Sequence, residues 1–575
     1  MSFDVPPEVA SFILRLDDFI EREITPLQAA DDNERFFDYR REHARTDWDQ
    51  GGKPRKEWMA LLGEARRRAD KAGFLRYALP KAYGGSGGTH LAMAIIREHL
   101  AAKGLGLFND LQNEASVVGN FPFIRMVEEH GNDRQRSEYI PKLADGSMAY
   151  AFGLTEPSHG SDATWMTTVA TLEGDFWVIN GMKTWNTGVD HASHDLVFAR
   201  TSGDAGGHSG LTCFVVPMPT PGVKIEEYLW TFNMPTDHAR VSFTDVRIPN
   251  DGMHVLGKPG RGLDLAQCFV HENRIRQAAS SLGAAQYCVN RAVERARSRK
   301  TFGKPLASNQ GIQFPLVELQ TECEMLRLLI RKTAWEMDQV HPHDLEGAVG
   351  DKVSMCNYRG NRLCCEAADR AIQVFGGWGY SRYEPFEHIY RHHRRYRITE
   401  GSDEIQMRKI AAMLFGFVKR KPARAAGTGA PEELVAALQD KLPGFERVVT
   451  AKRLSQGANL TMFDVTVQTT QGTSRHCLRW RPPSKAALES MSVSLQQEIA
   501  TIRAADRAGV PVPTITADLC ATSLEQAYLM GWVDGETIGQ RVVKLAEKQP
   551  GALVGDLAAA AARLHAGTHG VGELE

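Results

Sequence analysis

The amino-acid sequence predicts a multidomain α+β protein with three successive domains and a separate, smaller unit behind them. Apolar residues recur at helical spacing in residues 1–150 and 261–418, whereas residues 151–260 consist of short β-rich runs broken by Gly, Pro and Asn. A segment rich in Lys, Arg, Ala, Gly and Pro at 419–430 then precedes residues 431–575, where strand and helix patterns are mixed. We therefore expect a helical domain, a middle β domain, a C-terminal helical bundle, a linker and an α+β unit.

Composition and charge narrow the class of protein. The 575 residues include 68 Lys and Arg against 70 Asp and Glu, a formal charge of −2, and 42% of them are hydrophobic while 24% are charged. These values exclude a largely disordered, collagenous or coiled-coil protein and give no general attraction to nucleic acid. The sequence has neither an apolar run of about 18 residues nor a recognisable leader, and its nine scattered cysteines are typical of reduced thiols. We expect a cytoplasmic protein without a metal centre or membrane insertion.

The first domain is predicted to be mainly helical. Apolar residues follow helical spacing over 8–28, and the pattern returns over 58–72, 90–102 and 121–130. Residues 31–56 are charged and poor in apolar groups. We interpret this stretch as a solvated loop; the alternative is a cover over the entrance to a site.

The middle domain is predicted to contain a β-hairpin. Asn180 and Gly181 stand between the runs 176–179 and 182–185, and Asn-Gly between two β-rich runs indicates a tight turn, since both turn residues need a positive φ. Further strands are predicted at 196–199, 211–217 and 240–243.

The same patterns predict the remaining elements. One long helix of the third domain has an apolar face that includes Ile275, Leu282 and Val289. Later helices of this domain are predicted at about 310–340, 345–373 and 403–418. In the last unit we predict strands near 447–453, 461–469, 475–481 and 526–533, a helix near 488–508, and helices up to about residue 566.

Glu400 is the first candidate for a chemical role. It stands just before Gly401 and Ser402, and an amphipathic helix follows. Ser402 is well placed as the N-cap of that helix, with Asp403 and Glu404 in its first turn. A carboxylate at such a break can project into a cavity, although on this motif alone an ordinary surface acid is the better interpretation.

Four other segments contain residues suited to holding a nucleotide-like ligand. Residues 152–162 (FGLTEPSHGSD) offer hydroxyl and backbone N–H donors, and residues 183–188 place a tryptophan, which can pack on a flat ring system, before hydrogen-bonding residues. In residues 299–306 an arginine near an aromatic ring suits a diphosphate and an adenine, and residues 373–379 contain a glycine pair that permits close backbone approach. Each segment alone is also compatible with an ordinary connection.

Taken in order, these segments resemble the acyl-CoA dehydrogenase family over residues 8–418. The family pattern runs T-E-P-x-x-G-S-D, K-x-W-I-T, F-x-x-V-x-V-P, R-x-x-F-G-x-x-L-x-x-x-Q, Q-x-x-G-G-x-G and E-G-T-x-x-I. Matching segments occur here in that order at 155–162, 183–187, 243–249, 299–310, 373–379 and 400–405. The resemblance implies FAD as the cofactor and the family's fold, with an N-terminal helical domain, a middle β-barrel-like domain and a C-terminal four-helix bundle.

The resemblance also implies which residues hold FAD. One side of the isoalloxazine would be contacted by Phe152, Leu154, Thr155 and Ser161. Its other face would be covered by Trp185 and Thr187. The diphosphate and adenosine would be held, partly from a neighbouring subunit, by Arg299, Phe302, Gln310, Gln373, Gly376 and Gly377. Ser402 and Glu404 lie where the family also contacts FAD, and the shared site implies a homodimer or homotetramer.

The reaction implied by the resemblance is α,β-dehydrogenation of an acyl-CoA thioester. Glu400 would remove the α-proton as general base while its backbone N–H donates to the thioester oxygen, and the β-hydrogen would leave as hydride to flavin N5. The product would be the trans-2-enoyl-CoA, and the electrons would pass to an electron-transfer flavoprotein. Substrate contacts are expected from Ser161, Asn273, Arg274 and Gly401.

Glu400 is preferred over a base on the helix that contains Asn273. Some relatives place their base at the position that matches Asn273, but asparagine cannot act as a base. The neighbouring Glu272 should point about 100° away on that helix. Thr399 and Asn186 depart from the family's usual tyrosine and isoleucine, so the acyl chain length stays open.

Two other activities are alternatives for this region. A flavin oxidase or monooxygenase on the same fold would react with O₂ instead, although nitroalkane-oxidising relatives use Asp where this chain has Glu400. A hydrolase could be inferred from G-x-S-x-G within residues 84–88, but the required strand-turn-helix context is lacking.

Residues 431–575 resemble the N-lobe of aminoglycoside-phosphotransferase-like kinases. The resemblance rests on the loop at 454–460, the strand with Arg479, which replaces the usual lysine, and Glu498 on the following helix. Phosphoryl transfer needs acids that the family places beyond Leu564-His565-Ala566, and the sequence ends nine residues later. We therefore expect a truncated lobe without kinase activity, which either binds a nucleotide or is vestigial.

Overall fold

The computed structural model describes residues 4–109, 116–231, 233–420, 432–454, 461–480, 494–520, 522, 524 and 527–533. The chain forms two compact units, residues 1–424 and 425–575. No helix within the described ranges is long and apolar enough to cross a membrane.

The first helices of the larger unit pack around one apolar core. Phe12 and Leu16 are buried in it together with Trp58, Leu61 and Ile96. The four predicted helices are confirmed, and the first contains a π-helical turn at Ile20–Ile24. Their bounds are α1 (Pro7–Phe19), α2 (Thr25–Ala29), α3 (Lys56–Lys71), α4 (His90–Ala102), α5 (Pro122–His130) and α6 (Asp133–Asp145).

The solvated loop predicted at 31–56 is wrong. Phe36 is buried against Trp58 with ring centroids 5.2 Å apart, and the indole N–H of Trp230 donates to the carbonyl of Gly51 at 2.9 Å. The stretch therefore lies against both the helical domain and the middle domain. Burial of its few aromatic residues stabilises this packing although most of its other residues are charged or polar. It contains short 3-10 turns and the paired strands β1 (Thr46–Asp47) and β2 (Lys53–Pro54).

The middle domain is a mixed eight-stranded sheet. Its order is β10-β7-β6-β3-β5-β9-β8, and β4 pairs with both β5 and β6. Successive residues of β6 face two apolar clusters: Leu196 and Phe198 pack in one, Val197 and Ala199 in the other. The strands are β3 (Tyr150–Gly153), β4 (Val169–Glu173), β5 (Phe176–Thr187), β6 (His194–Arg200), β7 (Leu211–Pro217), β8 (Val223–Tyr228), β9 (His238–Pro249) and β10 (Val255–Leu256).

The hairpin predicted at Asn180 and Gly181 is wrong. Both residues lie inside the continuous strand β5, and the chain instead reverses at Gly174 and Asp175 between β4 and β5. A Cβ on Gly181 would lie 2.4 Å from the hydroxyl of Thr168. Close packing against a neighbouring segment, rather than a turn, therefore requires glycine at this position.

The third part of the unit is helical. The predicted long helix and the helices near 310–340, 345–373 and 403–418 are confirmed. The helix α11 was missed because His and Arg side chains obscure its apolar face, on which Phe386, Ile389 and Tyr396 are buried. The bounds are α7 (Gly262–Ser298), β11 (Lys300–Thr301), β12 (Lys304–Pro305), α8 (Gln310–Met337), α9 (Leu345–Phe375), α10 (Gly377–Tyr380), α11 (Phe386–Tyr396) and α12 (Asp403–Leu414).

The smaller unit contains a five-stranded antiparallel sheet of order β13-β14-β15-β17-β16. Arg479 on its central strand and Glu498 on the following helix form an ion pair at 2.8 Å. The segments 455–460 and 534–575, including Leu564-His565-Ala566, lie outside the described residues. The elements are α13 (Glu432–Lys441), β13 (Phe445–Arg453), β14 (Thr461–Thr469), β15 (Gly472–Trp480), α14 (Leu495–Arg507), β16 (Ile515–Asp518) and β17 (Ala527–Gly531); α13 and β16 were not predicted.

Candidate active site

Glu400 lies in a strained turn between α11 and α12. Its φ is +56°, in the left-handed region that residues other than glycine rarely adopt, and Gly401 follows with a φ of +88°. A Cβ on Gly401 would lie 2.7 Å from Nη2 of Arg274, so glycine is required by contact as well as by conformation. The sequence motif therefore fixes a tight turn that presents the half-buried carboxylate of Glu400 toward α7.

Arg274 holds the strained turn in place. It is 5% exposed, and its Nε and Nη2 donate to the carbonyl oxygen of Glu400 at 2.8 and 2.5 Å. Burial lowers the pKa of Arg274, while Glu400 and Glu346 oppose that shift. Its Nη1 also donates to the hydroxyl of Ser354 at 3.3 Å. Arg274 thus acts on the backbone of Glu400, and its two-pronged geometry needs an arginine.

Asn273 contacts the carboxylate itself. Its Nδ2 lies 3.4 Å from Oε1 of Glu400, while its Oδ1 accepts from Nη2 of Arg276 at 3.1 Å and lies 3.5 Å from Nδ2 of Asn120. The two substrate residues predicted on α7, Asn273 and Arg274, are therefore brought to Glu400. Asn120 and Arg276 were missed because no motif contains them.

The start of α12 forms as the sequence predicts. The hydroxyl of Ser402 accepts from the backbone N–H of Ile405, so Ser402 is confirmed as the N-cap, with Asp403 and Glu404 in the first turn. Buried Asp403 also accepts from Arg362 and Arg397 at 2.8 and 2.9 Å. The exposed carboxyl of Glu404 has a lowered pKa because it accepts hydrogen bonds from its own backbone N–H and from Ser402.

The predicted residues of β3 and the following loop lie beside β5. Phe152 pairs with Thr187 across the strands and stacks on Phe269, with ring centroids 4.3 Å apart. Thr155 accepts from the backbone N–H of Thr184 at 2.9 Å. Leu154 is half-buried, whereas Ser161 is exposed on the loop.

A buried ion pair fixes this loop on the strand. Nζ of Lys183 donates to Glu156 at 2.9 Å and to the carbonyl of Leu154 at 3.1 Å, and both charged side chains are almost completely buried. Although burial opposes it, Lys183 together with Thr167 and Thr168 lowers the pKa of Glu156. These two motif residues therefore position the loop, a role that the sequence did not reveal.

Trp185 sits at a bulge in β5. Its φ is +57°, the register with β9 shifts between Lys183 and Asn186, and its side chain is 49% exposed. Thr187 is also exposed, and its hydroxyl lies 3.0 Å from Nδ1 of His238, a residue that the motifs do not contain. The bulge turns Trp185 and Thr187 outward to the same side while Asn186 between them is buried.

Asn186 contacts a buried acid. Its Nδ2 donates to Oδ2 of Asp195 on β6 at 2.7 Å, and Asp195 is completely buried. Burial raises the pKa of Asp195 to about 7. The asparagine that departs from the family pattern thus forms a hydrogen bond across β3 to a buried acid on β6.

The other predicted residues lie at the far end of α7. Phe302, at the tip of the β11–β12 hairpin, has a φ of +50° and a fully exposed ring. Arg299, Gln310, Gln373, Gly376 and Gly377 are also exposed. Arg295, one turn before Arg299, lies 5.5 Å from the ring centroid of Phe375, which places residues 373–377 near this hairpin.

These two groups of residues are not brought together within one chain. The 25 residues of helix α7 from Arg274 to Ser298 span about 36 Å. The structure therefore presents two separate sets: one around Glu400 and another around the exposed hairpin.

Comparison with known proteins shows similarity to two families. Sequence models described as the acyl-CoA dehydrogenase N-terminal, middle and C-terminal domains match residues 7–147, 151–246 and 260–415. A model of the phosphotransferase enzyme family matches residues 450–573.

Individual relatives cover most of the larger unit. The chain is 33% identical over 412 residues to the human mitochondrial short-chain specific acyl-CoA dehydrogenase, an alignment that covers 71% of this chain and 90% of that protein. It is 33% identical over 359 residues to 3-(aryl)acrylate reductase of Clostridium sporogenes (strain ATCC 15579), covering 61% of this chain and 90% of that protein. The solved structure of butyryl-CoA dehydrogenase from Megasphaera elsdenii aligns with a TM-score of 0.59 and 26% identity, covering 72% of this chain and all of that one.

Proposed function

Since this chain belongs to the acyl-CoA dehydrogenase family, a family of FAD-dependent oxidoreductases that act on acyl-CoA thioesters, we propose that Glu400 is the base of its reaction. Glu400 removes the α-proton of the thioester, and the product is the trans-2-enoyl-CoA. Bound FAD supplies the acceptor for the β-hydrogen, which leaves as hydride.

The observation that carries this proposal is the pair of hydrogen bonds from Arg274 to the carbonyl oxygen of Glu400, which we call the clamp. A strained backbone that is fixed by two hydrogen bonds to a buried guanidinium is typical of a residue whose position serves chemistry. Because Arg274 binds the carbonyl oxygen of Glu400, the peptide plane after Glu400 is fixed. The carboxylate of Glu400 is therefore kept on the side of the turn that faces α7. Asn273 places a neutral amide on the carboxylate, while the cation of Arg274 binds the backbone carbonyl of the same residue.

The backbone N–H of Glu400 is the proposed donor to the thioester oxygen. Negative charge develops on that oxygen as the α-proton leaves, and a donor held in a rigid turn needs no reorganisation to stabilise it. Gly401 allows the close approach to Arg274 that keeps the turn rigid.

The residues present fit FAD. Trp185 and Phe302 are large aromatic side chains held exposed by left-handed backbone, and a Cβ on Gly376 or Gly377 would meet nothing within 4 Å. We assign Phe152, Leu154, Thr155, Ser161, Trp185 and Thr187 to the isoalloxazine half of the cofactor, and Ser402 and Glu404 to further contacts with FAD. We assign Arg299, Phe302, Gln310, Gln373, Gly376 and Gly377 to its diphosphate and adenosine.

The separation of these two sets supports a homo-oligomer. The span of about 36 Å along α7 exceeds the reach of one extended dinucleotide, so the exposed set would serve the FAD of a neighbouring subunit. We propose a dimer or tetramer in which each FAD is held by two copies of the chain.

The test is an anaerobic titration of the purified holoenzyme with saturated acyl-CoAs of varied length and branching. We expect bleaching of the flavin absorbance together with formation of an enoyl-CoA two hydrogens lighter than the substrate. Slow reoxidation by air and rapid reoxidation by an electron-transfer flavoprotein would support a dehydrogenase that uses this partner. Flavin that no acyl-CoA reduces would contradict the proposal, and rapid reoxidation by air would favour an oxidase.

A further inference from the structure

A chain of buried polar side chains runs through the helical bundle to the turn that contains Glu400. It begins with Gln406 on α12 and Asn357 on α9, which we call the amide pair. Both side chains are completely buried, and Nε2 of Gln406 donates to Oδ1 of Asn357 at 2.9 Å. Burial of an amide is unfavourable unless hydrogen bonds compensate for its lost hydration. The other partners of the amide pair therefore indicate which part of the fold it stabilises.

Gln406 binds the carbonyl group next to the one that Arg274 binds. Its Nε2 donates a second hydrogen bond to the carbonyl oxygen of Gly401 at 2.8 Å. Since Arg274 donates to the carbonyl oxygen of Glu400, two successive carbonyl groups of the strained turn are each held by a buried side chain. The peptide groups on both sides of Gly401 are thus fixed, although glycine by itself would leave the backbone free to rotate.

Asn357 connects Gln406 to the helix that contains Arg274. Its Nδ2 donates to the backbone carbonyl of Arg274 at 2.9 Å and to Oε1 of Gln277 at 3.1 Å. Its Oδ1 accepts from Gln406 and also from Nδ2 of Asn361 at 3.1 Å. Both donors and both acceptor positions of this amide are therefore used. A rotation of the amide by 180° would bring its oxygen against the carbonyl oxygen of Arg274, so Asn357 has one favourable orientation.

The chain of buried side chains continues away from the turn. Nδ2 of Asn361 also donates to the carbonyl of Tyr396 at the end of α11, at 3.1 Å, and its Oδ1 accepts from the hydroxyl of Ser281 at 2.6 Å. That hydroxyl lies 2.8 Å from Nδ1 of His393. Asn361 and Ser281 are completely buried as well. These contacts join Ser281 to α9 and α11, so Ser281 provides a matched control within the same buried chain.

We propose that Gln406 and Asn357 are positioning residues for Glu400, which hold its turn so that the carboxylate keeps the alignment needed to remove the α-proton. Both amides are uncharged, so the amide pair fixes the backbone without placing a further charge beside the base. A base displaced by about 1 Å loses about a hundredfold in rate, so a contact to the neighbouring carbonyl is sufficient to matter. This inference rests on the proposed role of Glu400.

The test measures anaerobic flavin reduction in variants of the holoenzyme, with butyryl-, hexanoyl- and octanoyl-CoA. Gln406→Met keeps the length of the side chain but removes both donors, and Asn357→Ala removes the amide that orients it. We expect the rate at saturating acyl-CoA to fall about 10- to 100-fold in each variant, while FAD content and the half-saturating acyl-CoA concentration stay within about twofold. Ser281→Ala should keep its rate within about twofold, although it alters the same buried chain. Natural rates in both amide variants, or an equal loss in Ser281→Ala, would overturn the proposal.

A second readout separates positioning of the base from general stability. Once Glu400→Gln has removed the base, its alignment no longer matters, so adding Gln406→Met should lower the residual rate by less than about threefold. A further loss as large as in the natural background would show that the amide pair acts through the stability of the bundle, which would contradict the proposal. If none of the three acyl-CoAs reduces the flavin of the natural holoenzyme, the proposed function itself fails. Normal reduction of the natural holoenzyme with unaffected amide variants contradicts this inference alone.

Discussion

At the scale of single residues, Arg274 stabilises the strained backbone of Glu400. Glu400 has a φ that residues other than glycine rarely adopt. The turn is stable because Arg274 donates two hydrogen bonds to the carbonyl oxygen of Glu400. Trp185 and Phe302 share the same left-handed conformation. Among the described residues, six non-glycine residues have a positive φ, and three of them are Glu400, Trp185 and Phe302, which motif matching had already selected.

Replacing Arg274 with lysine should impair catalysis without unfolding the protein. A single ammonium group cannot reproduce two donors in a fork, so we expect kcat to fall about 10- to 100-fold, in line with the loss of a charged hydrogen bond. Steady-state kinetics and flavin absorbance of Arg274→Lys would measure this. Ser354→Ala removes the outer contact of the same guanidinium and should have a much smaller effect. Equal losses in the two variants would argue against the clamp.

At the scale of elements, strand β5 connects Trp185 and Thr187, which we propose to contact FAD, with the core of the sheet. The bulge at Trp185 turns two side chains outward and one inward, and the inward side chain, Asn186, is bonded to buried Asp195 on β6. Lys183, three residues earlier, fixes the loop after β3 through Glu156. One strand thus orders, on one side, the side chains that we propose to contact FAD and, on the other, the interior of the sheet.

The buried acid on β6 makes a pH dependence of stability testable. Burial raises the pKa of Asp195 from 3.8 to about 7 in the folded protein. The folded state then holds a proton that the unfolded state has released, so this group destabilises the fold progressively as pH rises from about 4 to about 7, by about 4 kcal/mol at most.

The variant Asp195→Asn removes that titration. We expect its melting temperature, relative to the natural protein, to increase between pH 4.5 and pH 7.5 and to level off above. Thermal unfolding of both proteins across this range is the measurement. Parallel pH profiles would mean that Asp195 does not titrate in this interval.

Elements with a local pattern were predictable, and those set by packing were not. Ser402 was identified as an N-cap because the hydroxyl, the acidic first turn and the helix all lie within a few residues. The turn predicted at Asn180 failed because β5 continues between β4 and β9, and Gly181 serves a close contact with Thr168 instead. No periodicity in the sequence reports such a contact.

The candidate site shows the same division. Motif matching selected Glu400, Asn273 and Arg274, which the fold brings into contact. Motif matching did not select Asn120 and Arg276, because they lie outside every motif and only the tertiary arrangement reveals that both contact Asn273.

At the scale of the whole molecule, the chain forms two compact units, and the residues assigned to the reaction all lie in the first. The second unit has its own apolar core and an Arg479–Glu498 ion pair. We therefore predict that the reaction assigned to Glu400 does not depend on the second unit.

A shortened chain that ends at Arg420 should keep its FAD and its turnover within about twofold. Arg420 marks the sensible end point because it forms an ion pair with buried Asp351 at 2.6 Å. A chain that ends at Val418 loses this pair and leaves a buried carboxylate uncompensated, so its melting temperature should be lower by several degrees. Flavin content, kcat and thermal unfolding of the two chains would be compared. A chain ending at Arg420 that lacks flavin or activity would show that the second unit contributes to the reaction.

The most direct test of the central claim is anaerobic reduction of the flavin by acyl-CoA in Glu400→Gln. This substitution keeps the backbone N–H and the size of the side chain but removes the base, and Glu57→Gln on the exposed face of α3 is the matched control. We predict that Glu400→Gln binds FAD normally and that its rate of flavin reduction falls at least 10²- to 10⁴-fold, about the contribution of general base catalysis. Flavin reduction by Glu400→Gln at the rate of the natural enzyme would contradict the account.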